Sequence, residues 1–366
     1  MKIAIITINE AKPNYGNRLQ NYASKVVLEQ FGADVSTLCF DKSIRHIRIL
    51  KRKRWLHKLS FYKLSKSSDY WKYDVERICA FEDFNRRYIS QLCIDSCEHL
   101  SEEFDYFAVG SDQVWNANWY EGNSLKKDLY LLTFAKPEQK ICMAPSFGID
   151  ELPDAWNDYF KKQLPTFPNL LVREKSGADL IYRLTGQKAE IMIDPTLLLT
   201  AEDWLKIAQR PKNVDCNKRY ILTYFLGGRS KTQDQYIQEL TQKYNLTVYN
   251  LLDKSNRELF VVDPGEFVYL IAHAELVLTD SFHACVFAFL FHKPFQVFAR
   301  GGTQTKMFSR IENLLTMLSL ERKYAGSGLK NELFECDYEV SLKRLESERS
   351  KARTFLNRSL GVQHEN

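Results

Sequence analysis

The first 40 residues constrain the fold most, because they follow a strand–helix–strand pattern. KIAIITI at residues 2–8 is a continuous apolar run, as expected for a strand buried on both faces of a parallel sheet. Apolar residues then recur at helical spacing from Leu19 to Val27, Gly32 follows as a helix C-cap, and 33–40 alternates as a second strand. A unit of this length predicts a right-handed crossover and therefore a parallel sheet.

The pattern restarts after Asn217, which predicts a second α/β half. RYILTYFLGG at 219–228 predicts a strand that leads into a glycine turn. Further strands are predicted at 104–110, 140–148, 169–176, 191–199, 246–252, 275–280 and 295–299, and helices at 231–244, 263–274 and 281–294. Open parallel sheets bind ligands beyond the carboxyl ends of their strands, so two facing sheets predict one shared cleft.

The length of 366 residues fits two domains of about 100–200 residues each. We predict an N-terminal Rossmann-like domain at 1–205 with a basic insertion at 42–75, and a C-terminal Rossmann-like domain at 206–330. Apolar residues at helical spacing after Tyr338 predict a terminal helical segment, within 331–366, that packs back on the body.

Three features of the sequence bear on the cellular compartment and the binding partners of the protein. They are the cysteine spacing, the net charge and the N-terminus. The eight cysteines form no CxxC pair and have no histidine at metal spacing, which predicts reduced structural thiols and no metal. A net charge of +5 is too small to indicate nucleic acid by itself. The first apolar stretch is shorter than the about 7–15 residues of a signal peptide, and no window approaches the about 20 of a membrane span. We predict a cytoplasmic protein without a cofactor.

Residues 42–66 depart from the average composition. They include ten lysines and arginines and no carboxylate, interleaved with aromatic residues such as Trp55 and Phe61. A basic amphipathic segment of this kind predicts an anionic lipid or phosphate-bearing partner. A solvated helix–loop insertion and a nucleic-acid surface are the alternatives.

If this segment contacts the inner face of the membrane, the protein is expected to bind anionic liposomes less tightly as salt rises, because salt screens the attraction. Neutralising Lys51, Arg52, Lys53 and Arg54 should abolish the binding in a sedimentation assay, with zwitterionic liposomes as the control. Unchanged binding by the neutralised variant would disprove the membrane contact.

The strongest signal for chemistry lies in residues 274–295. Asp280 or Ser281 is predicted to cap a helix after a buried strand, which places His283 in the first helical turn. A helix N-terminus binds anions, and its dipole lowers the pKa of a histidine toward the range useful for proton transfer. Because the rest of this helix is apolar on every side, a buried structural histidine is the alternative.

Basic residues near strand ends suit an anionic ligand. Arg173 ends one predicted strand, and Arg300, Lys306 and Arg310 follow another. Arginine binds carboxylate or phosphate through two parallel hydrogen bonds. Each residue alone is commonly a surface charge, but together they predict an anion site. P-loop, HExxH and G-x-S-x-G motifs are absent from the sequence, which argues against the corresponding enzyme classes.

Six motifs, in order along the chain, resemble the polysaccharide pyruvyl transferase family. They are NYGNRLQNYA (14–23), FDYFAVGSDQVWN (104–116), APSFG (144–148), VREKSG (172–177), DPTLLL (194–199) and LTDSFHACVFAFLFHKPF (278–295). The resemblance implies a GT-B-like fold with an acceptor-side N-terminal domain and a donor-side C-terminal domain. It also implies transfer of the pyruvyl group of phosphoenolpyruvate onto two hydroxyls of a sugar, in a polysaccharide such as an exopolysaccharide or in a lipid-linked glycan precursor. The product would be a cyclic ketal.

The resemblance also implies roles for individual residues. His283 is the expected catalytic residue, and Arg173 is the expected ligand of the donor phosphate or carboxylate. Several members have Arg-Leu-His where this chain has Ser281, Phe282 and His283, so another cation is expected to bind the donor. The predicted donor site consists of Arg173, Ser281, Phe282, Arg300, Lys306 and Arg310.

The predicted acceptor site lies in the N-terminal half. Asp112 and Gln113 are expected to hydrogen-bond to a sugar and Trp115 to stack on it, while core packing is an equal alternative for Trp115. Asn17 and Arg18 follow the first strand and are expected to reach into the cleft. We predict no nucleic-acid partner.

Two other functions remain open at this point. A nucleotide-sugar glycosyltransferase has a similar architecture and would bind a nucleoside diphosphate. A non-catalytic glycan- or polyanion-binding protein would keep the fold without the reaction, and the serine at position 281 is the feature that favours it.

Overall fold

The computed structural model describes residues 1–9, 12–40, 66–120, 124–300, 309–330 and 332–362. Residues 42–65 of the basic segment and Lys306 lie outside the described residues. The proposed membrane contact therefore stays a prediction. No helix in the described ranges is long and apolar enough to cross a membrane.

Strands and helices alternate along most of the chain. The strands are β1 (Lys2–Ile6), β2 (Asp34–Phe40), β3 (Gln91–Ile94), β4 (Tyr106–Gly110), β5 (Lys140–Met143), β6 (Leu171–Val172), β7 (Glu190–Ile191), β8 (Tyr220–Tyr224), β9 (Thr247–Asn250), β10 (Leu276–Thr279) and β11 (Phe295–Val297). The helices are α1 (Tyr15–Glu29), α2 (Lys66–Tyr88), α3 (Leu100–Glu103), α4 (Ser124–Tyr130), α5 (Asp154–Gln163), α6 (Lys175–Thr185), α7 (Ala201–Leu205), α8 (Lys231–Tyr244), α9 (Arg257–Phe260), α10 (Pro264–Ala272), α11 (Phe282–Leu290), α12 (Ser309–Leu318) and α13 (Glu339–Leu360).

Two parallel sheets form the framework. The first has the strand order β3-β2-β1-β4-β5, the second has the order β11-β10-β8-β9, and β6 and β7 form a separate parallel pair. The central strand of the first sheet, β1, is buried from Ile3 to Ile6, as its continuous apolar run requires. The predicted α/β class, with one Rossmann-like parallel sheet in each half of the chain, is confirmed.

The strand predicted at 191–199 is wrong over most of its length. Pairing ends at Ile191, and Asp194 then caps a short 3₁₀ helix, Pro195–Leu197, by accepting a hydrogen bond from the Thr196 N–H. Proline cannot donate to a sheet ladder and its fixed φ suits the first turn of a helix, so the apolar run turns away from the sheet. This turn directs Asp194 toward the site.

A shared core joins the two sheets. Tyr15 at the start of α1 stacks on Phe267 of α10, with ring centroids 4.2 Å apart, and its hydroxyl donates to the Val262 carbonyl over 2.9 Å. One buried apolar cluster runs from the strands of the first sheet to α11. Helix α1 therefore brings the first sheet into direct contact with the helices of the second. The predicted domain boundaries at residues 205 and 330 stay predictions.

The C-terminal helix packs back on the body, as predicted. Arg349 of α13 donates from Nε to the Leu197 carbonyl over 2.8 Å and from Nη2 to the Leu199 carbonyl over 2.6 Å. Before the helix, the Tyr338 hydroxyl donates to the Lys293 carbonyl over 2.8 Å. The C-terminal segment is thus hydrogen-bonded to both halves of the chain.

Candidate active site

His283 lies where the two halves meet. It is the second residue of α11, and its imidazole packs against Gly16 in the first turn of α1. A β-carbon at Gly16 would lie 2.1 Å from Nδ1 of the ring. On the other side, Nε2 lies 3.8 Å from Oδ2 of Asp194. The ring is therefore held between a helix of the first half and the loop that follows β7.

Asp194 is fixed by four hydrogen bonds. Its Oδ1 accepts from the Thr196 N–H over 3.0 Å and from the Thr196 hydroxyl over 2.7 Å. Its Oδ2 accepts from the Ser111 hydroxyl over 2.8 Å and from Nη1 of Arg173 over 2.7 Å. Because the residue is only 1% exposed, this carboxylate has a single well-defined position beside His283.

Arg173 follows β6 and lies between two carboxylates and an aromatic ring. Besides its bond to Asp194, its Nε lies 3.6 Å from Oε2 of Glu174, and its guanidinium lies 5.2 Å from the ring centre of Phe282. Its Nε and Nη2 have no hydrogen-bond partner among the described residues. Two donors of a buried guanidinium thus remain for a ligand.

Burial and neighbouring charges shift the pKa values of His283 and Asp194 in opposite directions. Burial lowers the pKa of His283, and the nearby negative charge of Asp194 only partly offsets this effect. Burial would raise the pKa of Asp194, but the charges of His283 and Arg173 and the bonds from Thr196 hold that pKa well below its usual range. In the resting protein a neutral imidazole therefore faces an ionised carboxylate near pH 7.

A cavity of about 350 Å³ borders this cluster. Arg173, Asp194 and Phe282 form part of its wall, and Arg310 of α12 forms another part. Burial lowers the pKa of Arg310 to about 10, so the side chain stays charged at neutral pH, and its Nε has no hydrogen-bond partner in the part of the chain that the structure describes. Two guanidiniums with unused donors face one cavity, which suits an anionic ligand.

Arg300 and Ser281 have structural partners at this edge of the second sheet. Nη2 of Arg300 donates to the Asp280 carbonyl over 3.3 Å, and its Nε lies 3.5 Å from Oδ2 of Asp280. The Asp280 carboxylate accepts from the N–H groups of Leu226 and Gly227 over 2.7 and 2.8 Å. Ser281 occupies the N-cap position of α11, but its side chain makes no capping bond. The predicted side-chain cap is therefore wrong, because Asp280 binds the turn after β8 instead.

Two of the predicted acceptor residues lie at the site. Nδ2 of Asn17 donates to Oδ2 of Asp112 over 2.6 Å, and Oδ1 of Asp112 accepts from the Gln113 N–H over 2.8 Å. The negative charge of Asp112 also raises the pKa of His283. The Gln113 side chain is instead buried against Gly148, where a β-carbon would lie 2.4 Å from Cδ of Gln113.

Trp115 and Arg18 do not reach the cleft. Trp115 is fully buried, packs on Phe147, and donates from its indole N–H to the Tyr130 carbonyl over 2.9 Å, so the structure favours core packing over stacking on a sugar. Arg18 is 1% exposed, and its Nη2 lies 3.8 Å from Oε1 of Glu82 on α2. Both positions argue against a contact with the acceptor.

Gly16, Asp194 and Glu174 belong to the site but were not predicted as site residues from the sequence. Each lies inside a quoted motif, NYGN, DPTLLL or VREK, and two of the three follow the end of a strand. The useful signal is a carboxylate directly after a buried apolar run, since that is where parallel strands deliver side chains to a cleft. No group of three or more potential metal ligands occurs within the described ranges.

The fold and the site define an α/β protein with two parallel sheets, in which a buried histidine lies beside a cavity that two arginines line. The chain belongs to the polysaccharide pyruvyl transferase family, whose model matches residues 14–302. This confirms the family suggested by the sequence motifs. Membership identifies the protein with an enzyme family that transfers pyruvyl groups.

Solved structures resemble the chain over nearly its whole length at low identity. UDP-GlcNAc 2-epimerase from Neisseria meningitidis, bound to UDP-GlcNAc, is 13% identical over 98% of this chain and 100% of its own, with a TM-score of 0.44. UDP-GlcNAc 2-epimerase from Methanocaldococcus jannaschii is 14% identical over 95% of this chain and 99% of its own, with a TM-score of 0.40. No curated protein sequence matches the chain.

Proposed function

We propose that the protein transfers the pyruvyl group of phosphoenolpyruvate to two hydroxyls of a sugar in a polysaccharide or lipid-linked glycan precursor. The product is a cyclic ketal. The observation that carries this proposal is the convergence of His283, Arg173 and Arg310 on one site. The donor is a small molecule with a carboxylate and a phosphate, and both groups require cations or N–H donors.

Arg310 is the cation that we propose in place of the arginine found in other family members at the position of Ser281. Arg300 is bound to Asp280, whereas Arg310 lines the same cavity as Arg173. The unused donors of the two guanidiniums would bind the phosphate and the carboxylate of the donor.

The proposed reaction follows from the charge of His283. A sugar hydroxyl adds to C2 of phosphoenolpyruvate, C3 takes up a proton, and phosphate then leaves with the electron pair of the C2–O bond. The second hydroxyl attacks C2 and loses its proton, which closes the ketal. A buried neutral imidazole can accept a hydroxyl proton, a contribution of about 10²–10⁴-fold. Asn17 and Asp112 are the proposed acceptor contacts.

Arg310→Gln tests the donor site without leaving a buried carboxylate unpaired. Phosphoenolpyruvate is expected to raise the melting temperature of the wild-type protein, and the variant should need at least about tenfold more ligand because one charge-assisted bond is lost. Thermal-shift titration measures both. Arg353→Gln, at an exposed arginine of α13, is the matched control and should behave like the wild type.

The same titration includes UDP, which tests the competing hypothesis of a nucleotide-sugar glycosyltransferase. Stabilisation by UDP and not by phosphoenolpyruvate would favour a nucleotide-sugar glycosyltransferase. If neither ligand stabilised the protein, the non-catalytic glycan-binding alternative would be favoured. His283→Asn should retain the response to phosphoenolpyruvate and lose phosphate release with an acceptor found by screening methyl glycosides.

A further inference from the structure

We infer that Asp194 is the positioning residue of this site: its carboxylate binds the Nε2–H of His283, sets the orientation of the ring and stabilises the imidazolium formed when the ring takes a proton. This inference rests on the proposed function and adds the residue that controls its proton transfer. Asp194 touches neither substrate in this scheme, because it acts through His283.

The carboxylate of Asp194 has a fixed position beside His283. All four of its hydrogen bonds come from Thr196, Ser111 and Arg173, which belong to three different segments of the first half. Oδ2 of Asp194 is directed toward Nε2 of His283, and Nε2 has no hydrogen-bond partner among the described residues. At 3.8 Å the two atoms are within ion-pair distance when the ring is protonated.

The contact with Gly16 restricts the orientation of the imidazole in the native protein. Gly16 lies against Nδ1 on the opposite side, so the imidazole occupies the volume that a side chain at position 16 would fill. Nε2 therefore lies on the side of Asp194 and Nδ1 on the side of Gly16. Asp194 therefore also determines the tautomer of the resting ring.

Charged side chains of both signs surround the imidazole of His283. His283 faces Asp194 at the 3₁₀ helix, Asp112 after β4, Arg173 after β6 and Arg310 on α12. The two guanidiniums and burial oppose the imidazolium, whereas the two carboxylates favour it. Both carboxylates accept hydrogen bonds from their neighbours, but the charge of Asp194 raises the pKa of His283 more than that of Asp112, and Asp194 also forms an ion-pair contact with the ring. Asp194 is thus the main compensation for a buried positive charge at His283.

The test in the wild-type protein is the tautomer of His283, read from ¹⁵N NMR of histidine-labelled protein at neutral pH. The signal is assigned by its loss in His283→Asn. The proton is expected on Nε2, where it is donated to Asp194. A proton on Nδ1 would overturn the inference, and this experiment needs neither substrate nor an Asp194 variant.

The test by substitution is Asp194→Asn, which keeps the shape and removes the charge. The pKa of His283 should fall further below that of the wild type, and the acid limb of the pH profile should shift to lower pH. With a screened acceptor, kcat should drop about 10²-fold. The shift of the pH profile is the readout that tests His283, because KM for phosphoenolpyruvate also depends on the hydrogen bond between Asp194 and Arg173. Asp128→Asn, which removes a carboxylate that binds Tyr159, is the control.

The outcomes separate this inference from the proposed function. If Asp194→Asn is stabilised by phosphoenolpyruvate like the wild type but shows an unchanged pKa of His283, the positioning role is wrong and the donor site stands. If the wild-type protein shows no response to phosphoenolpyruvate, the proposed function fails, while the tautomer measurement still decides the contact between Asp194 and His283.

Discussion

Alanine at position 16 is expected to reduce turnover by about 10²-fold or more while leaving the protein folded. The new β-carbon would lie 2.1 Å from Nδ1 of His283, so the imidazole must move by more than an ångström. A displacement of about 1 Å at a reacting group can cost about 10²-fold in rate. Because the obstructing atoms belong to a side chain that can rotate, and alanine favours a helix over glycine by about 1 kcal/mol, stability should change little.

Phosphate release from phosphoenolpyruvate and the thermal midpoint together measure this effect. Gly177→Ala is the matched control, because Gly177 is also helical and its added β-carbon would come no closer than 3.3 Å to Phe147. The control should keep nearly wild-type turnover. A Gly16→Ala protein with normal turnover would show that the position of His283 seen here is not the catalytic one.

Arg173→Leu is expected to destabilise the fold by about 3–5 kcal/mol, because it leaves two buried carboxylates without their shared cation. Asp194 is 1% exposed and Glu174 is 3% exposed, so water cannot replace the guanidinium. The urea midpoint should fall with little change in slope. Arg219→Leu removes an exposed arginine from its pair with Glu275 and should leave the midpoint close to that of the wild type.

The pH dependence of the same variant gives a second measurement. In the native protein the pKa of Asp194 lies below its unfolded value, so its ionised form stabilises the fold above about pH 4, and this contribution is lost as the pH falls through the folded pKa. Without Arg173 the pKa of Asp194 rises. The stability difference between variant and wild type should therefore narrow as the pH is lowered from 7 toward 4. A constant difference would contradict the ion-pair explanation.

Much of the framework could be predicted because local patterns determine it. Apolar runs predicted β1, β8 and β10, and the helices predicted at 231–244 and 263–274 correspond to α8 and α10. Strand ends then located Arg173 and His283 on the cleft. The segment after β7 was harder to predict, because DPTLLL at 194–199 is apolar enough for a strand but begins with Asp194 and Pro195, which open a 3₁₀ helix.

The contacts that complete the site depend on packing between distant segments. Asp194 accepts a hydrogen bond from Ser111, which lies 83 residues earlier in the chain, and it contacts His283, which belongs to the other half. No local sequence pattern encodes either contact. Whether a side chain is buried in the core or reaches the cleft also depends on distant segments of the chain. Trp115 follows a strand end like Asp112, yet the backbone turn at Asp112, with φ of +61°, places the indole in the core.

The stacking of Tyr15 on Phe267 affects how this protein could be engineered. A chimera that joins the two halves of two family members at a linker treats each half as an independent module. In this protein such a chimera would separate α1 from its own α10. The ring of Tyr15 on α1 stacks on Phe267 of α10, with ring centroids only 4.2 Å apart. A hybrid with altered acceptor preference would therefore have to carry both helices from the same parent.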